Sequence, residues 1–301
     1  MKTIILFLRL ARLPYLLGSM LLYALGAGIA HHLQASIDWG VYWTGQAWLI
    51  MLQLSFQLLD TYFAFRVEGR QADHPILYRG GDNVVEGKLP QAAAFWLAIA
   101  CLTVTASLTV YLIWFTRSSQ AVELFMALIG IGGLLYAVPP VRLATSGYGE
   151  LTCAILLANL TPGFAFLLQH SELNRVLAMV TFPLTALGLA MFLALELPHY
   201  ATDLKVLKRT LMVRLGWQNG MQLHNLLILS SYMLLALAVV LGLPMYLVWP
   251  ALLTLPVGVF QIWMMNRIAA GARPNWLILS IISLVTFFLT TYMLAFSFWI
   301  H

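Results

Sequence analysis

Charge is what this chain has least of. Charged residues make up 9% of its 301 positions and hydrophobic residues 61%, against about 25% and roughly 45–50% in soluble domains. That composition excludes a water-soluble globule. Cysteine is nearly absent too: Cys101 and Cys153 are the two present. Both fall inside apolar runs, which argues against a disulfide framework and a thiolate metal site. Also missing is the ten-residue alternation of lipid- and lumen-facing side chains that marks an outer-membrane barrel. Runs rich in Leu, Ala and Met that admit Gly and Pro read instead as membrane-spanning helices. The class is all-α, a multi-pass bundle forming a single domain over 1–301.

A span needs about 20 predominantly apolar residues, and nine such stretches are present, near 13–31, 43–65, 91–115, 121–138, 150–169, 176–198, 221–242, 245–265 and 275–299. With the N-terminus inside, Lys2, Arg9, Arg12, Arg66, Arg70, Arg79, Lys88, Arg142, Lys205, Lys208, Arg209, Arg214, Arg267 and Arg273 are inside, and only Arg117 and Arg175 outside. That asymmetry predicts a cytoplasmic N-terminus and, after nine spans, an external C-terminus, in the cytoplasmic (inner) membrane. It also accounts for the net charge of +5 without nucleic acid as a partner. Arg9 and Arg12 interrupt the first apolar run, so the N-terminal segment reads as a short interfacial helix rather than a cleaved leader.

Acidic residues are scarcer still, and their placement is uneven. Eight of eleven (Asp60, Glu68, Asp73, Asp82, Glu86, Glu150, Glu196 and Asp203) fall at or between the helix ends on the predicted inner side; Asp38, Glu123 and Glu172 do not. The two largest polar segments, 66–90 and 199–220, follow the second and sixth spans. In the second span Gln53, Gln57 and Asp60 are spaced by four and three, which puts them on one helix face. A carboxylate within a span costs about 2.5–3.5 kcal/mol on insertion scales and usually faces a cavity; the alternative is an interfacial Asp60 paired with Arg66. In the sixth, Glu196, His199, Tyr200 and Asp203 form a stripe two turns long if the helix continues past Pro198, which is expected to kink it.

Carboxylates from two helix ends could share a hard cation such as Mg²⁺. Lys205, Lys208 and Arg209 follow at once. Metal and cations beside an apolar interior would suit a lipid diphosphate, whose head needs neutralisation and whose tail needs hydrocarbon. Read singly, Lys205, Lys208, Arg209 and Arg214 are an ordinary juxtamembrane basic cluster and His199 a structural histidine; the argument rests on the combination.

These residues resemble the UbiA superfamily of intramembrane prenyltransferases, and within it the 1,4-dihydroxy-2-naphthoate polyprenyltransferase branch. The resemblance lies in the loop Gly69 to Lys88 with Asp73, Arg79, Gly80 and Gly87, in PPVRLATSGYGE at 139–150, and in the run from Asp203 through Lys208, Arg209, Thr210, Leu211, Arg214 and Leu215 to Gly216. It implies a nine-helix bundle in which two Asp-rich motifs hold Mg²⁺ on an isoprenyl diphosphate, whose allylic cation is attacked by an aromatic acceptor. The expected metal ligands are Asp60, Asp73, Glu196 and Asp203. Arg79, Lys205, Lys208 and Arg209 are expected on the diphosphate, His199 and Tyr200 in catalysis, and Gln53 and Gln57 in the cavity. The chain departs from the pattern: if Gln57 takes the Asn position, Thr61 and Phe65 stand where aspartates belong, and His199 replaces the first aspartate of the second motif. Two outcomes are compatible with that, a shifted Mg²⁺ site or a protein that binds prenyl lipid without turning it over. A transporter is the third reading, weakened by acids clustered at one face rather than the midplane.

Overall fold

The computed structural model describes residues 12–68, 91–115, 119–205 and 208–301, and among them every regular element is helical. The segment 1–11, expected as an interfacial helix, and the loop carrying Asp73 and Arg79 lie outside the described residues.

The first four rods are α1 (Leu13–His32), α2 (Trp39–Glu68), α3 (Gln91–Phe115) and α4 (Gln120–Ala137). After a 3-10 turn at Leu143–Thr145 come α5 (Gly149–Ile155), a π-helical segment (Leu156–Leu160) and α6 (Thr161–Gln169), which together make one rod. Then follow α7 (Arg175–Glu196), a 3-10 turn (Leu197–His199), α8 (Tyr200–Lys205), α9 (Leu211–Leu215), α10 (Trp217–Val240), α11 (Met245–Leu252), α12 (Leu255–Ala269) and α13 (Trp276–Ile300).

Seven of these rods are long and apolar enough to cross a membrane, and α11 with α12 makes an eighth, bent by 41°. Pro250 and Pro256 flank the bend: Pro250 lies inside α11 and removes a helical hydrogen bond, and Pro256 stands in the first turn of α12, where its fixed φ suits a new helix start. The span expected near 245–265 is therefore a bent pair of helices. At 30 residues α2 has the length of a ninth, but Gln46, Gln53, Gln57 and Asp60 interrupt its apolar run. The protein is an integral membrane protein with an all-α bundle.

Short polar side chains start several rods: Ser119 accepts from the Val122 N–H, Asn174 from Val176 and Asn275 from Ile278. Each caps an otherwise orphaned donor. Helix α7 packs along α10 and α13, and α1 along α6 and α13. The Arg175–Lys205 rod is central, with 67% of its apolar window buried, against 17% for Ala92–Trp114 in α3, which turns most of its surface to lipid. Close approach of α1 to α6 depends on Gly26, where a Cβ would collide with the backbone carbonyl of Pro162.

Candidate functional site

The chain alternates direction from rod to rod, so the start of α1, the end of α2, the 138–150 connection, the end of α7 and the 200–216 segment share one side. A cavity enclosing about 850 Å³ of unfilled space, its open mouth included, sits beneath them. Its wall is built from Tyr15, Leu49, Leu52, Phe56, Ile129, Tyr136, Leu156, Leu157 and Phe192, with Arg12, Gln53, Gln57, Cys153 and Thr161 as polar members. Tyr15 and Phe192 stack with ring centroids 6.1 Å apart and planes 2° from parallel. Such ring faces can stabilise a nearby cation by about 0.5–2 kcal/mol each. The π segment shapes this wall: the Thr161 N–H and hydroxyl both return to the Leu156 carbonyl, five residues back, and Cys153, Leu156, Leu157 and Thr161 all reach the cavity.

Gln53 and Gln57 line the cavity as their spacing predicts, and the Oε1 atoms of both are buried without a hydrogen-bond partner. Asp60, one turn further on, is buried at the rim. Arg12 Nη2 donates to its Oδ2 at 2.8 Å, and Arg142 Nη2 lies 3.8 Å from its Oδ1. Burial would lower the Arg12 pKa; the Asp60 carboxylate more than reverses this and raises it, so the guanidinium stays charged. Arg66, the alternative partner of Asp60, has its side chain outside the described residues.

Arg12 and Arg142 share a backbone peculiarity. Their φ angles are 41° and 38°, and among the described residues Gln34 is the other non-glycine with positive φ. The left-handed region costs a residue with a Cβ about 1–2 kcal/mol. Neither arginine was singled out by the sequence: Arg12 read as one of many inner-face cations, and Arg142 stood in the 139–150 fragment without a role. Tyr15, Tyr136 and Phe192 were equally invisible, because aromatic residues occur in every span.

On the other flank of the mouth, Pro198 converts the end of α7 into a 3-10 turn before α8 begins. Glu196, His199 and Asp203 are nonetheless buried there, and Tyr200 is half-buried. Lys208 Nζ stands between two of them, 3.9 Å from Glu196 Oε2 and 3.7 Å from Asp203 Oδ2. Lys205 and Arg209 are exposed. The segments 139–150 and 203–216 dock on one another: Arg209 N–H donates to the Thr145 carbonyl at 3.2 Å, the Arg214 guanidinium lies 4.8 Å from the Tyr148 ring centroid, and Glu150 Oε1 accepts from Leu211 N–H at 2.9 Å. Cys153, one turn along α5 from Glu150, lines the cavity.

The expected metal set is thus distributed: Asp60 with two arginines, Glu196 and Asp203 with Lys208, and Asp73 outside the described residues. Among the described residues no three His, Cys, Asp or Glu side chains converge to hold a metal ion.

An aromatic-walled chamber inside a helical bundle, with its charged rim at one set of helix ends, defines an integral membrane protein built around an intramembrane cavity. The model of the UbiA prenyltransferase family matches residues 19–275; the chain belongs to that family. Among solved structures, a UbiA homolog from Archaeoglobus fulgidus bound to GPP and Mg²⁺ superposes with a TM-score of 0.69 at 17% identity, over 96% of this chain and 99% of the other. The same homolog bound to Cd²⁺ gives 0.66 at 17% identity, over 96% and 99%. A digeranylgeranylglyceryl phosphate synthase gives 0.64 at 12% identity, over 100% and 98%. No curated protein sequence matches the chain. At these identities the structural likeness establishes the fold.

Proposed function

We propose that this protein transfers a polyisoprenyl chain from its diphosphate to an aromatic acceptor of the quinone-precursor type, as in the 1,4-dihydroxy-2-naphthoate polyprenyltransferase branch. The observation that carries the reading is the chamber: an apolar, aromatic-walled cavity for the prenyl tail, with cationic side chains at the rim for the head. The GPP in one relative's structure supports the same ligand class. The carbon–oxygen bond of the allylic diphosphate breaks, the diphosphate leaves with the electron pair, and an acceptor ring carbon attacks the allylic cation and then loses a proton.

In this reading Lys208 holds the diphosphate, with Lys205 and Arg209 drawing it in from the exposed surface. Arg79 would join them from outside the described residues. His199 and Tyr200 are the groups proposed to take the proton. The apolar wall excludes water that would otherwise quench the cation, and the fixed chamber holds the reactants in register. The protein would work from the cytoplasmic membrane, with its N-terminus inside and the charged rim facing the cytoplasm.

Mg²⁺ is bound by a relative, and Asp60, Asp73, Glu196 and Asp203 are the acids that would hold it here. The three described acids do not fit that role as arranged, since each already faces a cation and they do not converge. The same observation favours a second reading, a family member that binds prenyl lipid without turnover. Incubation of purified protein with geranylgeranyl diphosphate and 1,4-dihydroxy-2-naphthoate, with and without Mg²⁺, separates the two. A prenylated ring by mass spectrometry is the expected result; bound but unconverted diphosphate in both conditions would leave the second reading.

A further inference from the structure

Two side chains of the chamber wall are left unfinished by the fold. Gln53 and Gln57 line the cavity, and the Oε1 atom of each is buried without a hydrogen-bond partner; Gln57 as a residue is 8% exposed. An idle buried carbonyl is costly, the more so within a span, and leucine at either position would remove the cost. Polar groups set in an apolar cavity wall are what orient a ligand there. The two glutamines are one helical turn apart, so their Cβ atoms stand about 5–6 Å from one another. Two oxygens placed para on a six-membered ring span the same distance. A glutamine amide turns about its last torsion with little restraint and offers a donor at one end and an acceptor at the other, whereas a phenolic hydroxyl is both at once. The hydroxyl therefore satisfies the amide in either orientation. A quinone carbonyl or an aryl ether only accepts, and leaves the Oε1 atoms unanswered. Phe56, between the two glutamines in sequence, lines the cavity as well and gives a flat ring an aromatic neighbour.

We infer that Gln53 and Gln57 select the acceptor: they read a ring that carries two hydroxyls para to one another, and they take it in its reduced, dihydroxy state in preference to the oxidised quinone. The selection has a chemical use. A dihydroxy ring is rich in electrons and can attack an allylic cation; the quinone is electron-poor and would only occupy the chamber. A site built to hydrogen-bond a hydroxyl rejects the analogue that lacks it, because its own polar groups are then left unpaired. The inference rests on the reading that the acceptor is aromatic, and names which ring and which oxidation state the chamber takes.

The test compares four rings of one size on the full-length protein in nanodiscs, titrated under argon with EDTA, with and without geranylgeranyl diphosphate. They are 1,4-dihydroxynaphthalene, 1,3-dihydroxynaphthalene, 1,4-dimethoxynaphthalene and 1,4-naphthoquinone, and empty nanodiscs give the blank for partition into lipid. The native chain is set beside Gln53→Leu, Gln57→Leu and Gln46→Leu, the last of which removes an amide from the same helix face outside the cavity wall. The expected result is that 1,4-dihydroxynaphthalene binds at least about tenfold tighter than the other three. That preference is expected to vanish in Gln53→Leu and in Gln57→Leu and to persist in Gln46→Leu, with melting temperatures unchanged or raised. A preference that survives in either cavity variant, or four rings bound alike by the native chain, would overturn the inference and leave the aromatic-acceptor reading intact. Melting temperatures lowered in both cavity variants would make the amides structural and overturn it too. Binding of geranylgeranyl diphosphate with none of the rings bound would overturn the inference and the aromatic-acceptor reading together.

Discussion

Glu150 and Leu211 are joined by a hydrogen bond from the Leu211 N–H to the Glu150 carboxylate, 2.9 Å across 61 residues of sequence. The carboxylate at the head of one membrane rod thereby caps the five-residue helix α9, which a helix so short could not sustain alone. Thr210 caps the same helix locally through Val213 N–H. Glu150→Ala is expected to cost about 0.5–2 kcal/mol, the usual value of a cap, and to weaken diphosphate binding because Lys208 and Arg209 precede α9 directly. Glu150→Gln keeps an acceptor oxygen and should retain most of both. Melting temperature and ligand titration on the two variants check this; equal loss in both would mean that charge, not the cap, matters.

Lys208 lies between Glu196 and Asp203. Removing one member of a buried ion cluster leaves uncompensated charge, at about 3–5 kcal/mol for close pairs. The contacts here are longer than a hydrogen bond, so Lys208→Met is expected near ~3 kcal/mol. Asp203→Asn added to it should restore part of the loss. A double-mutant cycle on melting curves reads the coupling; additivity would remove Asp203 from the cluster. Turnover, if the chain is a prenyltransferase, should disappear in Asp203→Ala.

Two glycines are expected to separate binding from stability. At Gly133 a Cβ would overlap the ring of Phe56, a side chain that lines the cavity. Gly133→Ala should push that ring inward and reduce affinity for long prenyl chains more than for short ones, with little change in melting temperature. At Gly26 the obstacle is the Pro162 backbone carbonyl, which cannot swing aside. Gly26→Ala should therefore destabilise the fold by about 1–3 kcal/mol or more. The reverse pattern would mean that the chamber wall is rigid and the α1–α6 contact soft.

Orientation gives a further test. Fourteen of sixteen Lys and Arg residues are assigned inside by the charge asymmetry. Reporters fused to the two termini should register on opposite faces, the N-terminal one in the cytoplasm. Reporters on the same face would mean an even number of crossings.

The rods were legible because a membrane span writes itself in one dimension: the apolar runs at 91–115 and 275–299 reappear as Gln91–Phe115 and Trp276–Ile300 almost without change. The shared face of Gln53 and Gln57 was legible for the same reason, since helical spacing alone puts both on one face; that this face lines the cavity is seen in the packed bundle. What the sequence could not convey is partnership across distance. Arg12 meets Asp60 from 48 residues away, and nothing in its local setting distinguishes it from the other inner-face cations. The docking of 139–150 on 203–216 was likewise hidden, although both fragments had been marked separately by their resemblance to the family. The bend after Pro250 was signalled by its prolines but overridden by the apolar run around them.

The π segment sets the phase of the rod that contains it. One α-helical residue turns the chain by about 100°, and Leu156–Leu160 carries its extra residue between two contacts that both require a fixed angle. Below it Cys153 faces the chamber; above it Pro162 meets Gly26. A π turn fits one extra residue into the angle that an α turn covers, so deleting a single residue within 156–160 would relax the segment to an α-helix and leave Pro162 in phase with Cys153. Straightening the segment to an α-helix at the same residue count would instead rotate everything beyond it by that angle and turn Pro162 away from α1, so the widened turn is what lets the rod carry one residue more and keep α1 locked.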